Sequence, residues 1–151
     1  MLDDITSVFQ EMGEYMVGSM YDRITAGTAL DGSPFAPKSE TTMALYRKKG
    51  EGIDSRPLIH TGQMSNHGLH YSFTKDTLRF GSSEPYAAVQ NFGAAKGAFG
   101  AYSGVSKKNG RRYAGSYPWG DIPARPFVGL SEQDEAALLD IVTDALRRTL
   151  K

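Results

Sequence analysis

Ile122-Pro123-Ala124-Arg125-Pro126-Phe127-Val128-Gly129-Leu130-Ser131 runs directly into the helical stretch 132–150, and its reading decides how the chain is built. Pro123 and Pro126 hold φ near about −65°, lack an N–H and push the residue before each out of the α region, so 122–127 is predicted to be a stiff, extended arm. Such an arm lies at a sheet edge or on another surface. Ser131 with Asp134 three residues on fits the [ST]-x-x-[DE] helix start, in which each residue satisfies an otherwise unpaired N–H of the other. Glu132, Asp134 and Glu135 complement the positive end of that helix, and Arg147, Arg148 and Lys151 its negative end. Arg125, held between the prolines, has no partner visible in the sequence. A surface ion pair within the fold is the favoured reading, with an intermolecular contact as its alternative.

Working outward, Leu2, Ile5, Val8, Phe9, Met12, Met16, Met20 and Ile24 recur at helical steps and place an amphipathic helix over 2–26, its methionines filling core and Gly27 stopping it. Asp31 to Lys38 reads as a turn followed by a proline-stiffened segment anchored by Phe35. A short helix is expected over 41–49, then an exposed, mobile loop over 48–52, then a segment from Arg56 that starts extended and breaks at Gly62. Leu69, Tyr71 and Phe73 alternate with polar residues, and after Lys75-Asp76 the alternation returns through Leu78 and Phe80, which predicts a hairpin. Pro85 to Gly93 suits a short helix, with a strand as the alternative. Residues 94–121 carry no sustained apolar period; Asn109-Gly110 predicts a type I′ turn at a hairpin tip bearing Lys107, Lys108, Arg111 and Arg112, flanked by Tyr102, Tyr113, Tyr117 and Trp119. Leu138, Leu139, Ile141, Val142, Ala145, Leu146 and Leu150 form the stripe of the last helix. The expected fold is α+β: an N-terminal amphipathic helix, a small antiparallel β-sheet with a long loop or hairpin at about 94–121, and a C-terminal helix, in a single domain over 1–151.

The 151 residues balance 17 Lys and Arg against 17 Asp and Glu, which excludes a strongly basic nucleic-acid binder as a whole. The charge is unevenly placed. Residues 1–37 carry one positive and six negative charges, net −5; residues 38–129 carry thirteen and six, net +7; residues 130–151 carry three and five, net −2. Acidic ends and a basic middle fold against each other in a monomer, or supply complementary surfaces in an oligomer. With no cysteine there is no disulfide, Cys-containing zinc site or thiol nucleophile. Asp3, Asp4, Glu11 and Glu14 argue against a signal peptide or membrane span at the start, so a protein made in the cytoplasm, with no membrane partner, is expected.

No phosphate-binding glycine loop, dinucleotide fingerprint, H-E-x-x-H or G-x-S-x-G motif occurs, so neither enzyme nor cofactor is expected. His60, His67 and His70 lack the spacing of a known ligand set, and ordinary surface or hairpin histidines are the favoured reading over a metal site. Asp54 with Asp121 is the available guess at an acid/base pair, and His60 with Asp54 at a hydrolytic site. The four cations at 107–112 are the credible polyanion-binding element. A solvated loop that discourages edge aggregation is favoured over direct nucleic-acid contact.

Four segments in chain order resemble the bacteriophage virion morphogenesis proteins, also called tail completion proteins, of Mu-like tailed phages. They are Asp31-Gly32-Ser33-Pro34-Phe35-Ala36-Pro37, Leu58-Ile59-His60-Thr61-Gly62-Gln63-Met64, Tyr86-Ala87-Ala88-Val89-Gln90-Asn91-Phe92-Gly93, and the arm 122–131. Pro34, Phe35, Pro37, Thr61, Gly62, Tyr86, Phe92 and Gly93 carry the first three. His60 stands where an aliphatic residue is usual, Phe35 where tryptophan is common, and Asn91 near a position often held by Gln; 94–119 is the least family-like stretch.

The resemblance implies a non-catalytic structural protein of the virion, at the head–tail junction (neck) or tail end, that completes or joins the tail. It also implies assembly with copies of itself into a ring, a hexamer by analogy with related neck proteins, and contact with other neck, tail terminator, tube or sheath proteins. On that reading Pro123, Arg125, Pro126 and Phe127 are the candidate interface with a neighbour, and Lys107, Lys108, Arg111 and Arg112 the candidate contact to an axial partner or to packaged DNA in the channel. A nucleic-acid-binding accessory protein using those four cations is the alternative function.

Overall fold

The structure, a computed structural model, describes residues 2–52, 54–116 and 120–150. The expected flanking of the basic tip by Tyr117 and Trp119, the charge of Lys151 at the last helix end, and the place of Leu2's side chain in the first stripe fall outside what is described.

Helix α1, Leu2–Ala26, follows from its stripe: Met16, Met20 and Ile24 are wholly buried. Ile5, in the first turns, is 44% exposed. A further member of the buried face carries no side chain. A Cβ on Gly13 would lie 2.1 Å from the Tyr71 ring, so this glycine lets a strand aromatic sit directly on the helix backbone. The helix stops at Gly27 (φ 72°), whose N–H donates to the Arg23 carbonyl at 2.8 Å.

Asp31 then turns the chain, accepting from the Ser33 N–H at 3.0 Å, and the Phe35 N–H donates to the Gly27 carbonyl at 2.7 Å, which drops the Phe35 ring into the core. Helix α2, Glu40–Lys49, is capped by the Ser39 hydroxyl on the Thr42 N–H and closed by Gly50 in the left-handed region. The segment from Arg56, expected to start extended, is instead a turn: the Ile59 N–H donates to the Arg56 carbonyl at 3.4 Å and Leu58 has φ 62°. Pro57 presets the second position of such a turn, and packing Leu58 against the core offsets the cost of roughly 1–2 kcal/mol for a left-handed leucine. Gly62 (φ 76°) breaks the chain where expected. It opens a four-residue helix absent from the sequence reading, α3, Gln63–Asn66, which seats Met64 in the core.

Strands β1, Leu69–Phe73, and β2, Leu78–Ser82, form the expected antiparallel hairpin, in register from Leu69 opposite Ser82 to Phe73 opposite Leu78. Lys75-Asp76 is its turn, closed by the Thr74 N–H on the Thr77 carbonyl at 2.8 Å. Phe9 of α1 meets Phe73 at 6.2 Å between ring centres, so this hairpin lies on the first helix. Of the two readings of 85–93 the helix is correct: α4, Ala87–Phe92, ends at Gly93 (φ 74°).

The second hairpin consists of β3, Ala101–Val105, and β4, Arg112–Ser116. The expected small antiparallel sheet and the hairpin expected at about 94–121 are separate two-stranded sheets, because β3 and β4 hydrogen-bond to each other and to neither β1 nor β2. The expected Asn109-Gly110 type I′ turn is corrected. That turn needs positive φ at both central residues, and here Gly110 alone adopts it (φ 67°), within a six-residue tip, 106–111. The tip is closed by Ser106 N–H to the Arg111 carbonyl and Gly110 N–H to the Ser106 carbonyl, both at 2.8 Å. Helix α5, Glu132–Thr149, starts in the capping box read from the sequence, and packs against α1.

The architecture is α+β. Ile24, Phe35, Met64, Ala87 and Phe127 form the core cluster, so one side chain comes from each of α1, the turn segment, α3, α4 and the arm.

Candidate functional site

The arm is extended as its prolines dictate, and it is an internal tie. Its backbone pairs with α4 and the residues after it: Ile122 and Ala94 exchange hydrogen bonds at 2.7 and 2.9 Å, and the Arg125 N–H donates to the Gln90 carbonyl at 2.8 Å. Asn91, 6% exposed, accepts from the N–H groups of both Phe127 and Val128, at 3.0 and 2.9 Å. Gly93 is required here, since a Cβ would lie 2.6 Å from the Ile122 carbonyl oxygen. Phe127 is wholly buried. Arg125 is 6% exposed and donates to the carbonyls of Ala36 and Pro37, both at 2.7 Å, and to the Gln90 side chain at 3.1 Å.

Neither Arg125 nor Phe127 therefore presents its side chain to a neighbour. The surface ion pair favoured for Arg125 is replaced by backbone carbonyls, and burial lowers its pKa. Pro123 is exposed, and Pro126 is half-buried, lining one pocket with Phe35 and Ala124. Of the other motif residues, Phe35 is buried, Thr61 and Gly62 open α3, Pro34 pairs with Thr28, and Tyr86 and Phe92 are 43% and 78% exposed. Pro37 contributes its carbonyl to Arg125 and Gly93 its bare backbone to the arm.

A second tie was not legible as such. Asp134, read as a capping residue, is 2% exposed and faces α1. It accepts from Ser19 Oγ at 2.5 Å, Tyr15 Oη at 3.3 Å, the Ser131 N–H at 2.9 Å, Ser131 Oγ at 2.8 Å, and the Arg23 guanidinium. Arg23, 7% exposed, also donates to the Phe127 carbonyl at 2.8 Å. Burial pushes the Asp134 carboxyl up, but the hydroxyl and backbone donors and the Arg23 charge outweigh it, and the net pKa is lowered. Burial, followed by the neighbouring Asp134, raises the Tyr15 phenol. Ser19 and Arg23 at i and i+4 were the available signal, two polar residues set beside the Met16, Met20 and Ile24 stripe.

The histidines and carboxylates named in the sequence are engaged separately. Arg56 grips Asp54 through both carboxylate oxygens at 2.6–3.1 Å, and those hydrogen bonds hold its pKa at about 2. Asp121 accepts from the Lys96 N–H at 2.7 Å. His60 stacks on Tyr46, with ring centres 4.3 Å apart, and its Nε2 lies 3.2 Å from Glu51. Lys38 reaches over the same Tyr46 ring at 5.4 Å and donates to the carbonyls of Asp54 and Ile59. Burial lowers its pKa. Among the described residues, no three His, Asp or Glu side chains converge to hold a metal ion.

Two surfaces stay open. The four cations of the second hairpin are exposed, and none has an ion-pair partner among the described residues. On the other side, a groove of about 1100 Å³ runs between α1, the 28–32 turn and the start of α5. Glu14, Asp22, Asp31 and Glu132 line it over a floor that includes Ala29, Leu30 and Leu130.

The body is tied twice from within, and among the described residues charge of both signs lies unpaired on its surface. The chain belongs to the phage virion morphogenesis family, whose sequence profile matches residues 1–147. It is 37% identical over 95 residues to the Mu-like prophage FluMu G protein 2 of Haemophilus influenzae (strain ATCC 51907 / DSM 11121 / KW20 / Rd); the match covers 63% of this chain. The chain spans about half the length of that curated relative, the matched part being 55% of it. No solved structure matches the chain. Its role is accordingly a structural or assembly one in a bacteriophage. Among the described residues no helix is long and apolar enough to cross a membrane.

Proposed function

We propose that this chain is a subunit of a homo-oligomeric ring at the neck or tail end of the virion, where it completes or joins the tail during assembly in the host cytoplasm. The family match over 1–147 carries the reading. The physical support is a body whose arm and last helix are tied inward, while charged surfaces of both signs have no ion-pair partner among the described residues. A ring subunit needs both: a shape that does not adapt, and complementary patches that close on copies of itself or stack on the next layer. The partners on this reading are copies of itself, then tail terminator, tube or sheath proteins, with packaged DNA in the channel. Single-particle reconstruction of the virion, with mass spectrometry of the same particles, tests it. Density for the chain at the neck or tail end is expected, and its absence from the particles would sink the proposal.

The exposed cations at 107–112 favour one second reading, a nucleic-acid-binding accessory protein. About four neutralised phosphates would give a log–log salt slope near −3.6 for duplex DNA. Unchanged duplex affinity after replacing all four by alanine would remove it.

A further inference from the structure

We propose that the basic tip of the second hairpin of one copy docks in the acidic groove of a second copy, making a head-to-tail contact; this rests on the ring reading above. Lys107, Lys108, Arg111 and Arg112 are concentrated on one six-residue tip and its first strand position, and all are exposed. Glu14 and Asp22 on α1 and Glu132 at the start of α5 are exposed along one groove, and none is ion-paired among the described residues. Within one chain, then, the two sets do not neutralise each other, although they are opposite in sign and similar in number.

The hairpin's other features point the same way. Among the described residues its two strands hydrogen-bond to no other strand, and an isolated two-stranded hairpin is marginal in water, so it gains from being seated on something. Val105 and Tyr113 are 57% and 52% exposed beside the cations, and the groove offers Leu130, 46% exposed, beside its carboxylates. Apolar contact flanked by charge pairs is the make-up of a specific protein interface, whereas a phosphate backbone would use the cations and leave those side chains in water. The surfaces differ, so the contact is heterologous and repeats from copy to copy until it closes or extends.

The natural sequence has no cysteine, which makes a direct test clean. Chains carrying Lys108→Cys alone and Asp22→Cys alone are mixed under mild oxidation, in parallel with a chain carrying both. Disulfide-linked dimers from the mixture and a ladder from the double variant are expected. Glu14→Lys with Asp22→Lys, checked for native circular dichroism, should abolish self-association measured by mass photometry. Combining them with Lys107→Glu and Lys108→Glu in the same chain should restore it.

No hairpin-to-groove disulfide at concentrations where the native chain self-associates, or a native chain that stays monomeric while the cysteine variants stay unlinked, would overturn this contact. Charge reversal in the groove that leaves self-association intact would do the same. Any of those results leaves the virion role standing, since that is judged by particle composition. Absence from particles would leave a linked ladder in solution unexplained by that role but real.

Discussion

Asp134→Asn keeps the size of a side chain that is 2% exposed and removes its charge, which isolates the energy of the buried tie between α1 and α5. If Asp134 only capped its helix, the loss would match a cap deletion, about 1 kcal/mol. The structure predicts more, because the Arg23 guanidinium, with its side chain 8% exposed, would be left without its carboxylate. Breaking a buried pair by neutralising one partner costs roughly 3–5 kcal/mol. With a urea m-value of about 2 kcal/mol/M for a small domain, the unfolding midpoint should fall by roughly 1.5–2.5 M. Urea denaturation followed by circular dichroism measures it, with Ser131→Ala as the capping control. Asp134→Asn with Arg23→Met should recover much of the loss, since no buried charge is then stranded.

The pH dependence has a defined sign. The carboxyl's folded pKa is below its unfolded value of about 3.9, so its stabilisation is complete above that value and disappears as pH falls through the folded one. The wild-type protein should therefore lose stability below about pH 4 more steeply than Asp134→Asn. Equal losses for Asp134→Asn and Ser131→Ala, with parallel acid profiles, would refute the reasoning.

Gly93→Ala combines a left-handed backbone with a Cβ 2.6 Å from the Ile122 carbonyl oxygen; a loss above about 2 kcal/mol is expected in the same denaturation assay. Phe127→Ala empties the place of a wholly buried ring and should cost about 3–5 kcal/mol, whereas a ring serving only a neighbouring subunit would cost the isolated chain almost nothing. Asn91→Ala leaves the buried N–H of Phe127 and the partly buried N–H of Val128 without their acceptor, at about 2 kcal/mol, and amide exchange at those two positions should accelerate. Replacing Lys107 or Lys108 by alanine should change stability by less than about 0.5 kcal/mol, since both are exposed and make no ion pair among the described residues.

What could be read in the chain was what local physics decides. The prolines extend the arm, Ser131 and Asp134 build the capping box, alternation over 69–80 makes the first hairpin, and Gly27, Gly62 and Gly93 end or open elements with positive φ. The misreadings differ in cause. At Leu58 the core's demand for a side chain overrode backbone preference, and at Asn109 a longer tip replaced the tight turn that the dipeptide alone favours. The sites were less legible than the elements, because Arg125 looks like a surface cation until Ala36, Pro37 and Gln90 are brought around it from 35 to 89 residues away in sequence.

The sequence by itself determined the α+β order, the first and last helices, the first hairpin and the uneven charge, since each depends on residues within a few positions of one another. Only the tertiary structure decided the direction in which the arm works. Sequence reading offered Arg125 and Phe127 to a neighbour; folding turns both inward, onto backbone carbonyls and into the core, because satisfying a buried guanidinium and burying a whole ring both require distant segments. The same folding gathers Glu14, Asp22 and Glu132 along one groove and, among the described residues, leaves the hairpin cations without an ion pair, which is why the proposed contact uses those charges and not the arm.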